Sequence, residues 1–395
     1  MADSRVPVWL DCDPGHDDVF AILLAAYHPS IRLLGISTVW GNASLEKTTQ
    51  NACSILTAIS KSTSVPVFAG AAHALYRPPM HAPTDIHGES GLDGTNLLPK
   101  PVITAANHHP GLNYQSNTAE EAVDAAAAAL RSEPPGSAWV VATGSFTNVA
   151  SLFTKYPELV GHVRGLSLMG GAIGGGFTRA VMGYVDGVPR VGNWTQYAEF
   201  NVLADPEAAQ SIFGDEELAA KTTLIPLDLT HQVLATQEVR GLLLHGNTAT
   251  TTTTKGYSQG KTELRTMLVE LLMFFAKTYS DVFGITEGPP LHDPLAVAAV
   301  LAGLSSEIPF YDYDPADTGK TRERYEVSVI TKGTYDEARA GARTGQTVAK
   351  LLPPGQEGVR IPRGLDIPMF WKVIEECVER ADAANKAGLP FMDLN

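Results

Sequence analysis

Little in this chain points to a disulfide-held, membrane-embedded or nucleic-acid-binding protein. Its 395 residues include only three cysteines, Cys12, Cys53 and Cys377, an odd number scattered along the length. They form neither a disulfide framework nor a zinc-ligand pattern. No stretch approaches the roughly 20 apolar residues that a spanning helix needs, so no membrane partner is expected. The first residues are polar, and Val6 to Leu10 is too short for the apolar core of a secretory leader. A cytoplasmic protein is the expectation. Positive charge is also scarce: 29 Lys and Arg stand against 43 Asp and Glu, a net charge of −14. Binding a nucleic-acid backbone needs clustered cations, so nucleic acid is excluded as a partner. There is no internal repeat and no clean linker. With 44% hydrophobic and 18% charged residues, the composition is that of a globular chain with ample length for a large core.

What is present is a regular alternation of strand-like and helix-like segments. Val6–Asp11 predicts a strand and Asp17–Tyr27 a helix; Ile31–Val39 and a helix from about Ser44 to Ser60 repeat the pair. Val65–Ala69 follows, then a loop rich in Pro, His and Gly from Arg77 to Pro99. An Ala-rich helix from Thr118 to Arg131, a strand at Ala138–Ala142, a helix near Asn148 and a strand at Val163–Met169 continue the pattern. Later elements are helices at Thr262–Tyr279, Pro294–Leu304 and Asp366–Ala384, and a strand at Tyr325–Thr331. Strand then helix, repeated, predicts right-handed crossovers and a mostly parallel, doubly wound (Rossmann-like) sheet with helices on both faces. The expected fold class is α/β, one large domain over residues 1–395. Two stretches look like loop insertions, 173–190, which is Gly-rich, and 245–261, which holds a run of threonines.

In such sheets ligands sit beyond the carboxyl ends of the strands. Four of those exits are polar or Gly-rich: Asp11-Cys12-Asp13, Trp40-Gly41-Asn42, Ala142-Thr143-Gly144 and Met169-Gly170-Gly171. The first stands out. Val8-Trp9-Leu10-Asp11-Cys12-Asp13-Pro14-Gly15-His16-Asp17-Asp18 packs four carboxylates into one strand-to-helix turn. A helix N-terminus tolerates some negative charge, worth roughly 0.3–1 kcal/mol per group, and that cannot neutralise four neighbours. A hard divalent cation with oxygen ligands is the economical answer. A single Asp would suffice to cap the helix.

The turn resembles the N-terminal signature of the nucleoside hydrolases, calcium enzymes that cleave the N-glycosidic bond of ribonucleosides. Further segments resemble the family in order: Val39-Trp40-Gly41-Asn42, Ala142 through Asn148, Asn193 through Asn201 with Asp205-Pro206-Glu207-Ala208, and His292-Asp293-Pro294-Leu295-Ala296-Val297. The resemblance implies calcium held by Asp13, Asp18, Asp293 and the main-chain carbonyl of Thr143. It implies Asp13 as general base toward a bound water, with Asp11 behind it orienting the loop. It puts Asp17, Asn42 and Asn201 on the ribose 2′- and 3′-hydroxyls, and Asn193 and Glu199 on the 5′-hydroxyl. These carboxylates would repel a phosphate, so a 5′-nucleotide is expected to be a poor substrate.

By the same resemblance, His292 protonates the leaving base, a role that an unperturbed imidazole pKa near 6.5 would suit. His87 lies in a flexible-loop segment that contacts the base. Met169 is a candidate floor under the ribose and equally good core. Tyr279 and Phe283 are candidates for lining the base pocket, and Trp194 could stack on a base or simply pack. The remaining histidines are read as structural. His292 favours the uridine/inosine type over the purine-specific type, and relatives are often homodimers or homotetramers. Two alternatives stay open. A haloacid-dehalogenase-like phosphatase also starts with two aspartates two apart, and would use Asp11 as nucleophile. Gly15 and the Asp17-Asp18 pair depart from that pattern. A non-catalytic calcium- or sugar-binding relative is the other.

Overall fold

The computed structural model describes residues 3–80, 84–101, 118–185, 187–246 and 259–388. At its centre lie six parallel strands, β1 (Val6–Cys12), β2 (Ile31–Thr38), β3 (Val67–Ala69), β4 (Trp139–Ala142), β5 (Gly165–Met169) and β6 (Thr222–Ile225), in the order β3-β2-β1-β4-β5-β6. The order reverses at β1, so the crevice for a ligand opens where β1 and β4 diverge. Asp11 pairs with Ala142 there, and the chain leaves β1 toward Asp13 and β4 toward Thr143. Continuous burial along β1 explains its near-unbroken apolar run, since a parallel strand is covered on both faces.

Helices cover both sides. Asp18–Tyr27, Glu263–Phe283, Asp293–Ala299 and Ile367–Gly388 contribute buried side chains to one core. Ala119–Arg131, Thr147–Lys155 and Pro206–Phe213 pack a second core against the other face. The N-terminal boundaries follow local capping chemistry: Ser44, Thr118 and Thr262 each accept a backbone N–H from the first turn of the helix they precede. The sequence pattern put the helix starts one residue early at Thr118 and Thr262 and ended the long Glu263–Phe283 helix one turn short. Fully buried Arg265 ties that helix to the closing one through Glu375 at 2.9 Å and Asp382 at 2.6 Å.

Strand β6 was not foreseen. It is four residues long and runs straight into Pro226, too short to show a period. Tyr325–Val329 pairs antiparallel with Thr347–Leu351, a hairpin outside the main sheet. Of the two stretches that look like insertions in the sequence, 173–190 forms a small antiparallel pair, Tyr184–Val185 against Val188–Pro189. It lies on the end of the Glu263–Phe283 helix, with Arg190 over the Phe283 ring at 4.9 Å. Most of 245–261 falls outside the described residues. No described helix is long and apolar enough to cross a membrane.

Candidate active site

A cavity sits over the β1/β4 crevice. Eleven of the residues singled out from the sequence line it: Asp17, Asn42, His87, Thr143, Met169, Asn193, Glu199, Asn201, Tyr279, His292 and Asp293. Trp194 joins them, its ring edge-on to Phe200 at 5.2 Å. Phe283 does not line the cavity; it stacks behind Tyr279 at 5.0 Å. None of the described residues of 173–190 reaches the cavity wall.

Beneath the cavity lies the carboxylate cluster. Asp17, Asp18 and Asp293 bring carboxylate oxygens within 4.8 Å of one another, all buried. Asp13 is not part of that triple. Its Oδ2 accepts the Asn42 N–H at 2.8 Å, and its Oδ1 is buried with no partner among the described residues. Gly15 N–H donates to Asp18 Oδ2 at 2.9 Å and Thr143 Oγ1 to Asp18 Oδ1 at 2.8 Å. Asp11 stands behind: Oδ1 accepts from Ser37 and Asn148. Burial pushes its carboxyl up to about 7, against the pull of those hydrogen bonds.

Burial also raises Asp13, Asp17, Asp18 and Asp293, and repulsion from neighbouring carboxylates raises Asp13, Asp17 and Asp293 further. A buried, all-oxygen, like-charged cluster with an orphaned carboxylate oxygen fits a divalent cation and little else. The shifts also set a pH dependence. A carboxyl with a raised folded pKa holds its proton longer in the folded chain than in the unfolded one. The cation-free protein therefore has that stabilisation in full below about 4, the unfolded carboxylate value. It loses it as pH rises through about 6 for Asp18 and about 7 for Asp17. A divalent cation reverses the trend, because it binds the ionised form and displaces protons. The rise in thermal midpoint on adding calcium to chelator-treated protein is expected to grow steadily from pH 5 to pH 8. A rise independent of pH would contradict the cluster as its binding site.

The polar groups of the cavity wall are held by their own networks. Asn201 Nδ2 donates to the carbonyls of Thr143 at 2.8 Å and Met169 at 3.1 Å, which leaves its Oδ1 as the free end. Glu199 caps the Phe200–Ala204 helix: Oε1 accepts from Asn201 N–H, and Oε2 from the N–H groups of Gly171 and Val202. Asn193 Oδ1 accepts the Phe200 N–H at 2.9 Å. Met169 lines the cavity with an apolar side chain.

The histidines depart from expectation in one respect. His292 Nε2 meets the Tyr279 hydroxyl at 2.7 Å and its Nδ1 meets Thr230 Oγ1 at 2.6 Å. Burial, with His231 nearby, holds its pKa well below 6.5. The imidazole is therefore neutral at physiological pH, not poised near it. His231, a structural residue on the sequence reading, lies edge-on to Tyr279 and His292 at 5.7 Å, and its Nδ1 donates to the Val181 carbonyl. His16 was read the same way, yet it touches His87 Nδ1 to Nδ1 at 2.9 Å. Ile86, Phe200 and Phe275 complete the wall without having been singled out. Thr230 and His231 follow β6, so recognising that strand would have marked them as one more strand exit.

The match to a family model described as inosine-uridine preferring nucleoside hydrolase runs over residues 8–372, from β1 into the closing helix. The chain belongs to that family. It is a hydrolase that acts on the N-glycosyl bond of ribonucleosides. It is 37% identical over 393 residues to the uridine nucleosidase of Saccharomyces cerevisiae, covering 98% of this chain and 100% of that one. It is 32% identical to the inosine-uridine preferring nucleoside hydrolase of Leishmania major, over 94% of this chain and 96% of that one. Among solved structures, the purine-preferring ribonucleoside hydrolase from Gardnerella vaginalis superposes with a TM-score of 0.70 at 23% identity, covering 95% of this chain and 99% of that one. The nucleoside hydrolase fold is thus shared beyond the range of close sequence similarity.

Proposed function

We propose that the chain is a calcium-dependent nucleoside hydrolase of the uridine/inosine type, releasing ribose and a free base for salvage. The observation that carries this reading is the buried carboxylate cluster under a cavity walled by ribose-type polar groups on one side and a Tyr–His pair on the other. Asp13, Asp18, Asp293 and the Thr143 carbonyl would hold the ion, with Asp17 beside them for the 2′- and 3′-hydroxyls. When bound, a divalent cation supplies Lewis acidity that lowers the pKa of a water and steadies the diol.

The protein groups do the rest. Asp13 is pinned at Oδ2 by Asn42 and keeps Oδ1 for the proton of the attacking water, the general-base role. Asn201 Oδ1 and Asn42 face the diol, and Asn193 and Glu199 the 5′ end. Since both Glu199 oxygens already accept backbone N–H groups, it contributes one further lone pair at most in place of a freely turning carboxylate. At the leaving group, neutral His292 and the Tyr279 hydroxyl form a relay: the hydroxyl gives its proton to the departing base and regains one from solvent, where Asp13 releases the proton of the attacking water. His87 borders the base from the opposite wall.

Replacing Tyr279 by Phe is expected to lower kcat on uridine by about 10²-fold, the low end for a positioned acid. The same change should matter little for p-nitrophenyl riboside, whose leaving group needs no proton. Equal losses on both substrates would remove Tyr279 from the relay.

We further place the enzyme in the cytoplasm as a homodimer or homotetramer, which light scattering of the purified protein checks; a monomer at micromolar concentration would count against the oligomer. The substrate reading is tested by kcat/KM for uridine, inosine, cytidine and uridine 5′-phosphate. Uridine or inosine is expected to lead, with the 5′-phosphate far behind because acidic Glu199 closes that end. A phosphorylated substrate that matches uridine would overturn it.

A further inference from the structure

His16 stands in the turn between β1 and the Asp18–Tyr27 helix and is fully buried. Phe274 stacks on its ring at 5.0 Å and 7°, and Phe275 flanks it at 5.4 Å. Its two nitrogens have fixed partners: Nε2 meets the main-chain oxygen of Asp93 at 2.7 Å, and Nδ1 meets His87 Nδ1 at 2.9 Å. The Asp93 oxygen is held in place by its own loop, whose carboxylate accepts the N–H groups of Glu89 and Ser90. Gly15 lets the two rings meet, because a Cβ there would lie 2.8 Å from His87 Nδ1.

Proton counting follows from these contacts. A carbonyl oxygen only accepts, so His16 Nε2 carries a hydrogen. Only one hydrogen fits between two nitrogens 2.9 Å apart. A buried ring stacked on Phe274 and flanked by Phe275, with no carboxylate among the described residues bonded to either nitrogen, is held in its neutral form. His16 Nδ1 is therefore bare and accepts, and the hydrogen between the rings belongs to His87 Nδ1. His87 is held neutral by the same burial, so its other nitrogen is bare too. That atom, Nε2, is the one polar atom His87 has left, and it makes no hydrogen bond among the described residues; His87 itself lines the cavity wall.

We propose that His16 is a positioning residue that locks His87 in its Nδ1–H tautomer, so that His87 Nε2 accepts a hydrogen bond from an N–H on the edge of the nucleobase. This rests on the nucleoside hydrolase reading of the cavity. It makes His87 a selector for bases that present an N–H donor rather than a source of the leaving group's proton, which is left to Tyr279 and His292.

The test uses the calcium-loaded protein labelled with ¹⁵N-histidine, and two variants. His16→Phe keeps a ring between the phenylalanines and removes the acceptor. His16→Asn gives up the ring and restores an acceptor near the Nδ1 position. In the wild type, long-range ¹H–¹⁵N spectra, with His87 assigned by loss of its signals in His87→Gln, should show His87 protonated at Nδ1 and bare at Nε2. In His16→Phe the proton should move to Nε2. The kcat/KM ratio of uridine to 3-methyluridine should fall about tenfold in His16→Phe, one neutral hydrogen bond's worth, and recover in His16→Asn. A purely structural role would lower both substrates together and leave the ratio unchanged. A wild-type His87 protonated at Nε2, or a ratio unmoved in His16→Phe, overturns the proposal. If His16→Phe does not fold, the wild-type tautomer of His87 decides it alone. Failure of the wild type to hydrolyse either nucleoside would sink the substrate reading instead, and the tautomer measurement would still judge His16.

Discussion

Asp13→Ala should abolish turnover while leaving the cation-free fold at least as stable as before. The carboxylate is buried, and among the described residues only its Oδ2 has a partner, the Asn42 N–H. As general base it accounts for about 10²–10⁴ in rate, and its loss also removes an oxygen ligand. The expected fall in kcat therefore reaches the top of that range or beyond, with the thermal midpoint in chelator raised, because one member of a mutually repelling buried cluster is gone. The gain in midpoint on adding calcium should shrink. Matched assays of ribose release and thermal unfolding read both. A variant that loses activity because it unfolds would break the assignment, as would one that keeps more than about a tenth of wild-type kcat.

Gly41→Ala should be nearly as damaging by a different route. The backbone of Gly41 runs so close to the site that a Cβ would lie 2.0 Å from Asp13 Oδ2 and 2.9 Å from its Cγ. No rotamer change of a methyl relieves that, so the carboxylate must move and the Asn42 N–H loses its partner. A displacement of about 1 Å in a positioned group costs on the order of 10² in rate. Overpacking in a tight interior typically adds a stability loss of about 1–3 kcal/mol. The two changes should be strongly non-additive: in an Asp13→Ala background the clashing atoms are absent, so Gly41→Ala should cost little more. Additive losses would mean that Gly41 acts elsewhere.

The sequence made the parallel α/β architecture legible because its strands are short apolar runs separated by amphipathic stretches. Polar residues at strand exits marked the place of the cavity: Asn42 and Thr143 line it, and Asp13 lies against the Asn42 N–H. The β6 exit was lost because that strand is four residues long and ends in Pro226, and Thr230 and His231 were lost with it. His16 escaped because a lone histidine beside two aspartates looks like a bystander, and its partner His87 lies 71 residues away. The electrostatic state of His292 could not be read from the chain either. Its pKa depends on burial beneath Tyr279 and beside His231, which only the packed helices create. Asp17 shows the same limit. The resemblance assigns it to the ribose alone, yet the fold brings its carboxylate into one group with its neighbour Asp18 and with Asp293, 276 residues further along the chain.

One measurement bears most directly on the cluster at the β1/β4 crevice as a cation-dependent nucleosidase site: ribose release from uridine and inosine by chelator-treated protein, before and after calcium is restored. Ribose should be absent in chelator and return on titration with calcium. Ribose release that persists in chelator, or none from any ribonucleoside with calcium present, would contradict it.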